Sequence, residues 1–193
     1  MIAAVLLTCA ANIAPATLSA VIRVESSGQA LAIHDNATGR SYQPQNVNAA
    51  ISLARRLVAQ GHKVDAGLVQ VDSANWSAVG LDASSVFDPC ANIRAGGTIL
   101  TADYAIALQT HSPGQTALKV ALSLYNTGTF DRGFSNGYVA RYYGPLHVPA
   151  VNVHLASFEP SHGDARRVPD HPSWTAQLLA RLSAPTTVAI PTN

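Results

Sequence analysis

The residues best suited to chemistry begin with one carboxylate in an unexpected place. Between Pro15 and Ser26 the apolar residues Leu18, Val21 and Ile22 recur at helical spacing, and the next position on that stripe, seven residues beyond Leu18, is Glu25. A carboxyl on the core-facing stripe of a helix loses part of its hydration, which disfavours the charged form and raises its pKa. A carboxylic acid that keeps its proton near neutral pH can serve as a general acid. The chain has two glutamates, Glu25 and Glu159, so this one is not drawn from an abundant surface population. The competing reading is a side chain bent out to solvent or paired with Arg23.

Other candidates lie further along. Gly67-Leu68-Val69-Gln70 is apolar with one uncharged polar side chain, and Asp65 and Asp72 flank it. Tyr125-Asn126 closes an apolar helical pattern. Each group also has a plain structural reading. Gln70 can satisfy a strand-edge backbone group, Tyr125 can sit in the core with its hydroxyl bonded, and Asn126 can end a helix beside Gly128. Cys9 and Cys90 are far apart, with no C-x-x-C pattern. They read either as one long-loop disulfide from an oxidising compartment or as two buried thiols. The seven histidines fit no metal-ligand spacing, and neither a metal nor a cofactor is expected.

The elements that must position these groups are mostly helices. Pro15 to Ser26 reads as a helix stopped by Gly28. Ala30 to Tyr42 reads as a small hairpin or irregular strand region. Asn46 or Asn48 caps a helix to Gln60, with Val47, Ile51, Ala54 and Val58 on one face. Val64 to Val71 reads as extended, and Ser73 to Val79 as a short helix ending at Gly80. Asp88-Pro89 opens a helix to about Thr110, in which Gly96-Gly97 implies close approach of another backbone. Ser112-Pro113 opens a helix to Tyr125 that is apolar nearly all round and therefore central. A last short helix runs from Asn136 to Tyr143.

From Pro145 the texture changes, since seven of the eleven prolines lie between Pro145 and Pro191. Within that stretch only His171 to Leu182 reads as helical, with Trp174, Leu178, Leu179 and Leu182 on an apolar face. The expected division is a folded unit over residues 1–144 and a Pro-rich, partly ordered extension over residues 145–193. Hydrophobic content of 48% supports a core, while 12% charged residues and a net charge of +1 give no electrostatic case for nucleic acid or an anionic membrane surface. No apolar run approaches the roughly 18 residues of a transmembrane segment. Met1 to Leu7 is apolar without a basic flank, and reads as the remnant of a signal peptide or as an arbitrary start.

Glu25-Ser26 at a helix end, Gly67-Leu68-Val69-Gln70, Tyr125-Asn126 ending a buried helix and Gly137-Tyr138-Val139 follow one another in an order and spacing that resemble the soluble lytic transglycosylase family. The branch found in type IV secretion systems is the most similar, and it often has cysteines where Cys9 and Cys90 fall. Val69 and Leu124 depart from the family's usual Met and Ala, which bears on cleft width more than on chemistry.

The resemblance implies a mainly α (α+β), lysozyme-like fold: a helical bundle with a small β or irregular region and a substrate cleft. It implies cleavage of the β-1,4 bond between N-acetylmuramic acid and N-acetylglucosamine, with a 1,6-anhydro product. Glu25 would be the acid and base, and Ser26 and Gln70 would bind sugar groups. Gly67, Leu68 and Val69 would form a cleft wall, Tyr125 and Asn126 would contact the sugar beside the cut bond, and Tyr138 would hold Glu25. It further implies a Cys9–Cys90 disulfide, a periplasmic location, and glycan strands and other secretion-system proteins as partners. The alternatives are a hydrolytic muramidase of goose type using Asp65 or Asp72, and a peptidoglycan-binding assembly factor with incidental catalysis.

Overall fold

A computed structural model describes residues 8–143. The expectations for residues 1–7 and 144–193, including the His171–Leu182 helix, lie outside the described residues. Helix α1 spans Pro15–Ser26 and has Pro15 in its first turn, where its missing N–H leaves no helical bond unmade. Leu18, Val21, Ile22 and Val24 are buried on its inner face. The helix stops where Ser27 turns left-handed at φ 54°. The N–H groups of Ser27 and Gly28 then donate to the carbonyls of Arg23 (3.2 Å) and Ile22 (3.4 Å). Glu25 is thereby held in the last turn, beside the point where the chain leaves the helix.

Four short antiparallel strands follow in the order β2-β1-β3-β4: β1 Ile33–Asp35, β2 Arg40–Tyr42, β3 Val64–Ala66 and β4 Val71–Asp72. The β1–β2 turn is closed by Asp35, whose carboxylate accepts from the Thr38 hydroxyl (2.7 Å) and the Ala37 N–H (3.0 Å). Register places Ser41, His34, Asp65 and Asp72 in one row across the sheet. Ile33, Ala66 and Val71 face the core on the other side, each at most 1% exposed. The alternation of a strand thus puts two carboxylates side by side on the open face. The stretch Val64 to Val71, expected as one extended piece, is a hairpin. Gly67 (φ 83°) and Gln70 (φ 49°) both turn left-handed and fold it back.

Helix α2 spans Val47–Ala59, and Asn46 caps it by accepting from the Ala49 N–H at 2.9 Å. Its inner face is Ala50, Ala54 and Leu57, whereas Val58 is 40% exposed. Of the expected face, Ala54 is fully buried and Val47 and Ile51 pack against the core, and only Val58 turns out to solvent. Ser73 to Val79 is a turn followed by a 3-10 turn at Ser77–Val79, closed by Gly80 at φ 73°.

The centre of the molecule is a pair of packed helices, α3 (Pro89–Ala107) and α4 (Gln115–Thr127). Asp88 caps α3 through the Ala91 N–H at 2.7 Å. That helix ends at Ala107 rather than Thr110. The expected cap at Ser112 is not used: α4 begins after Gly114, whose N–H is taken by the Tyr104 hydroxyl at 3.0 Å. Leu118, Ala121 and Leu122 of α4 are at most 1% exposed, as an all-round apolar helix requires. Instead of one last helix from Asn136 there are two turns, α5 (Arg132–Ser135) and α6 (Ala140–Tyr143), with Gly137 left-handed at φ 80° between them. The helices and small sheet make the mainly α, lysozyme-like arrangement expected.

The glycine pair in α3 has a different cause from the one expected. A Cβ on Gly96 would lie 2.4 Å from Val69 Cγ2 and 2.9 Å from the Tyr125 hydroxyl, and one on Gly97 would lie 3.0 Å from Ala10 Cβ. Side chains, not a second backbone, occupy the space. Asp103 of the same helix is fully buried, and among the described residues neither of its carboxyl oxygens has a hydrogen-bond partner. Burial raises its pKa well above the ordinary carboxylate range.

Cys9 and Cys90 form a disulfide that ties the segment before α1 to the first turn of α3 across 81 residues. Closing a loop of that length removes entropy from the unfolded chain, worth about 4 kcal/mol in the chain-entropy model. Reduction should therefore lower the denaturation free energy by about that amount. Urea unfolding with and without reductant measures it. Two reactive thiols in the denatured, unreduced protein would refute the bridge.

Candidate active site

A cavity of about 520 Å³ opens between the end of α1, the sheet and the end of α4, and Glu25, Asp65, Gln70, Asp72, Tyr125 and Asn126 line it. Glu25 comes from the last turn of α1. Gln70 comes from the β3–β4 turn, and Tyr125 and Asn126 from the last turn of α4. Gly128 at φ 68° ends that helix after Thr127.

Glu25 is held by Tyr138, just before α6, and by Arg141 and Tyr142 of α6. The Tyr138 hydroxyl donates to its carboxyl. The Tyr142 hydroxyl meets that of Tyr138 at 2.6 Å, with the two rings packed edge to face at 5.3 Å. The Arg141 guanidinium donates to the Val24 carbonyl at the end of α1 and lies 6.0 Å over the Tyr138 ring. Burial pushes the Glu25 carboxyl up from 4.5 to about 7, opposed by the Tyr138 hydrogen bond, the Arg141 charge and Tyr142. A group balanced there is protonated in a useful fraction at neutral pH and can accept the proton back. Burial, with the Glu25 charge second, also pushes the Tyr125, Tyr138 and Tyr142 hydroxyls well above their ordinary value. They act as hydrogen-bonding groups rather than anions.

The β3–β4 turn is locked by its own polar groups. A Cβ at Gly67 would fall 2.3 Å from the Asn92 amide nitrogen, so only glycine fits both that contact and φ 83°. Asn92, fully buried in α3, accepts from the Val69 N–H (2.9 Å) and donates to the Ala66 carbonyl (3.0 Å). Ser26 donates to the Leu68 carbonyl (2.7 Å), Tyr125 to the Val69 carbonyl (2.7 Å), and the Gln70 amide to Gly67 (2.8 Å) and Ala32 (3.1 Å).

The expected substrate-binding residues therefore separate into two sets. Glu25, Gln70, Tyr125 and Asn126 line the cavity. Ser26, Leu68 and Val69 do not: they are buried, and the Ser26 hydroxyl and the two carbonyls bond each other or Tyr125. Their polar groups hold the β3–β4 turn. Gly67 likewise packs on Asn92, and Tyr138 stands behind Glu25.

Sequence reasoning missed Asn92, Asn136, Arg141 and Tyr142. Asn136 donates to the Asn126 side-chain oxygen at 3.2 Å and so orients that amide. A polar Asn92 amid the apolar residues of α3 was a readable signal. Arg141 and Tyr142 gave none, since their role depends on where α6 docks. Asp65 was read only as a possible second acid. Burial, then the charge of Asp72, pushes its carboxyl up to about 7, with a further contribution from Glu25 and an opposing hydrogen bond from Asn36. Among the described residues no three His, Cys, Asp or Glu gather as a metal site.

A family model described as the transglycosylase SLT domain matches residues 6–142. Protein virB1 of Rhizobium radiobacter is 36% identical over 166 residues, covering 86% of this chain and 67% of that protein. Protein virB1 of Agrobacterium fabrum is 38% identical over 133 residues, 69% of this chain and 54% of its own length. Type IV secretion system protein virB1 of Brucella abortus is 36% identical over 128 residues, 65% of this chain and 53% of its own. No solved structure matches significantly.

The raised pKa of Glu25 has a stability consequence with a definite sign. A carboxyl whose value rises from 4.5 unfolded to about 7 folded leaves its full contribution in place below pH 4.5 and loses it as pH rises through 7. Glutamine has no proton to lose. Glu25→Gln should therefore gain stability over the wild type as pH rises from 4.5 to 8, by on the order of 1–3 kcal/mol. Paired denaturation curves at the two pH values test this, and a difference independent of pH would contradict it.

Proposed function

The chain belongs to the transglycosylase SLT family, and from that membership we propose how Glu25 cuts peptidoglycan and where in the cell it does so. The enzyme is a lytic transglycosylase acting on the β-1,4 bond between N-acetylmuramic acid and N-acetylglucosamine. One observation carries the assignment of roles: the Glu25 carboxyl, raised to about 7 by burial, lines the cavity beside Gln70, Tyr125 and Asn126 and is held by the Tyr138 hydroxyl. Glu25 gives its proton to the departing glycosidic oxygen. The muramic acid's own 6-hydroxyl then attacks C1, and Glu25 takes the proton of that hydroxyl. The product is a 1,6-anhydro sugar and no water is consumed. Because the attacking hydroxyl belongs to the sugar being cut, it acts with the high effective concentration of a tethered group. Gln70, Tyr125 and Asn126 contact the sugars, while Tyr138, Tyr142 and Arg141 hold the acid in place.

The virB1 relatives, one named as a type IV secretion system protein, support local opening of the wall for secretion-system assembly, alongside other proteins of that system. The disulfide fits an oxidising compartment, the periplasm, and no described helix is long and apolar enough to cross a membrane. Residues 1–144 form the catalytic unit and residues 145–193 an extension not needed for bond cleavage.

Mass analysis of fragments released from purified peptidoglycan should show anhydro ends, one water lighter than hydrolytic ends. Glu25→Gln should release none while remaining folded. Retained cleavage in that variant would sink the assignment. A chain ended after Gly144 should keep most activity on isolated peptidoglycan; complete loss in a folded truncation would mean that the extension reaches the cleft.

A further inference from the structure

Three carboxyls line the cavity, those of Glu25, Asp65 and Asp72, and among the described residues a single cation, Lys63, joins them. Lys63 stands just before β3. Its carbonyl accepts from the Asn36 N–H at 3.0 Å, which carries the β1–β3 ladder one step further. Alternation puts Lys63 and Asp65 on the open face, with the fully buried Val64 between them turned to the core. Lys63 is exposed, and the protein does not spend its charge. Among the described residues the one ion pair joins His62 to Asp35 at 3.1 Å. Asp65 is hydrogen-bonded by Asn36 instead, and the Asp72 carboxylate accepts the Ala74 N–H at 2.7 Å.

An exposed, unpaired ammonium in an otherwise acidic cavity decides where an anionic part of a ligand can lie. Beside Asp65 and Asp72 a carboxylate meets like charge, and beside Lys63 it meets the opposite charge. Peptidoglycan has such a part. Each N-acetylmuramic acid carries a short peptide with free carboxylates, whereas the glycan strand itself is neutral. Lys63 is two residues from Asp65, about 7 Å along the strand, a span that two or three residues of extended peptide cover.

We propose that Lys63 is a specificity-determining residue that binds a carboxylate of the substrate's peptide branch, so that strands bearing peptides are favoured over bare glycan. This rests on the reading of the cavity as the place where Glu25 cuts peptidoglycan. No bond forms or breaks at Lys63. It holds the branch, and through the branch the sugar, against the side of the cavity built by β1 and β3. The effect is modest in size, because an exposed pair of opposite charges changes an equilibrium by about two- to fivefold. It is also sensitive to salt, since charges are screened over about 10 Å at 0.1 M ionic strength and about 3 Å at 1 M.

The full chain is given soluble glycan strands in three forms: with their peptides, with peptides whose carboxylates have been converted to amides, and stripped of peptide. The ratio of kcat/KM on peptide-bearing strands to that on amidated strands is the quantity read. In the wild type at low salt it should be about two- to fivefold and shrink towards unity in 1 M salt. Lys63→Ala should bring the ratio close to unity, Lys63→Glu should invert it, and Lys63→Arg should keep most of it. A ratio that is the same in wild type and Lys63→Ala, or unchanged by 1 M salt, would overturn the proposal and leave the Glu25 reading standing. So would an equal loss on all three substrates in Lys63→Ala, which is the mark of a purely structural role. Failure of the wild type to cut any of the three would remove the Glu25 reading and this one with it.

Discussion

The hydrogen bond from the Tyr138 hydroxyl to the Glu25 carboxyl joins residues 113 apart in sequence, and much of the rest of the molecule serves to make that meeting possible. A carboxyl must be dry to remain an acid near neutral pH, but a dry ionised carboxyl without partners is strongly disfavoured. The arrangement settles between these limits. Burial raises the pKa, and two hydroxyls and one guanidinium bring it part of the way back. The guanidinium also bonds the Val24 carbonyl, so the charge that tunes the acid is fastened to the helix that carries it.

The opposite wall of the cavity is built on another principle. In the β3–β4 turn the polar groups are satisfied by the protein itself, through Ser26, Asn92, Tyr125 and Gln70. Few are left over for a ligand. The gain is rigidity: Gln70 sits in a left-handed conformation uncommon for a residue with a side chain, and the surrounding bonds fix it there. A site whose groups are held before substrate arrives loses less to ordering when the reaction begins.

Local chemistry was legible where a residue acts on its own segment. The Asn46 and Asp88 caps, Pro15 in a first turn, and the stops at Gly80 and Gly128 depend on neighbours within a few residues. So does the placing of Glu25 on an apolar stripe. The Ser112 cap misled because Tyr104, on the preceding helix, takes the Gly114 N–H. The face of α2 was legible except at Val58, which is exposed while Leu57 is buried in its place. The Val64 to Val71 stretch misled because its hairpin depends on Asn92 from α3 filling the space beside Gly67. Of the site, the residues facing the cavity carry recognisable motifs, whereas the supports behind it come from distant elements and leave no periodic trace. Ser26 shows the difference: it belongs to the motif but faces inward.

The order of the chain has a consequence for timing. Glu25 is made well before the groups that tune it, Tyr138, Arg141 and Tyr142. A polypeptide still emerging from a ribosome or a translocation pore carries the acid without its tuning partners, and Cys9 waits for Cys90 in the same way. The Glu25 carboxyl is thus kept without its finished setting until the chain is complete through Tyr142.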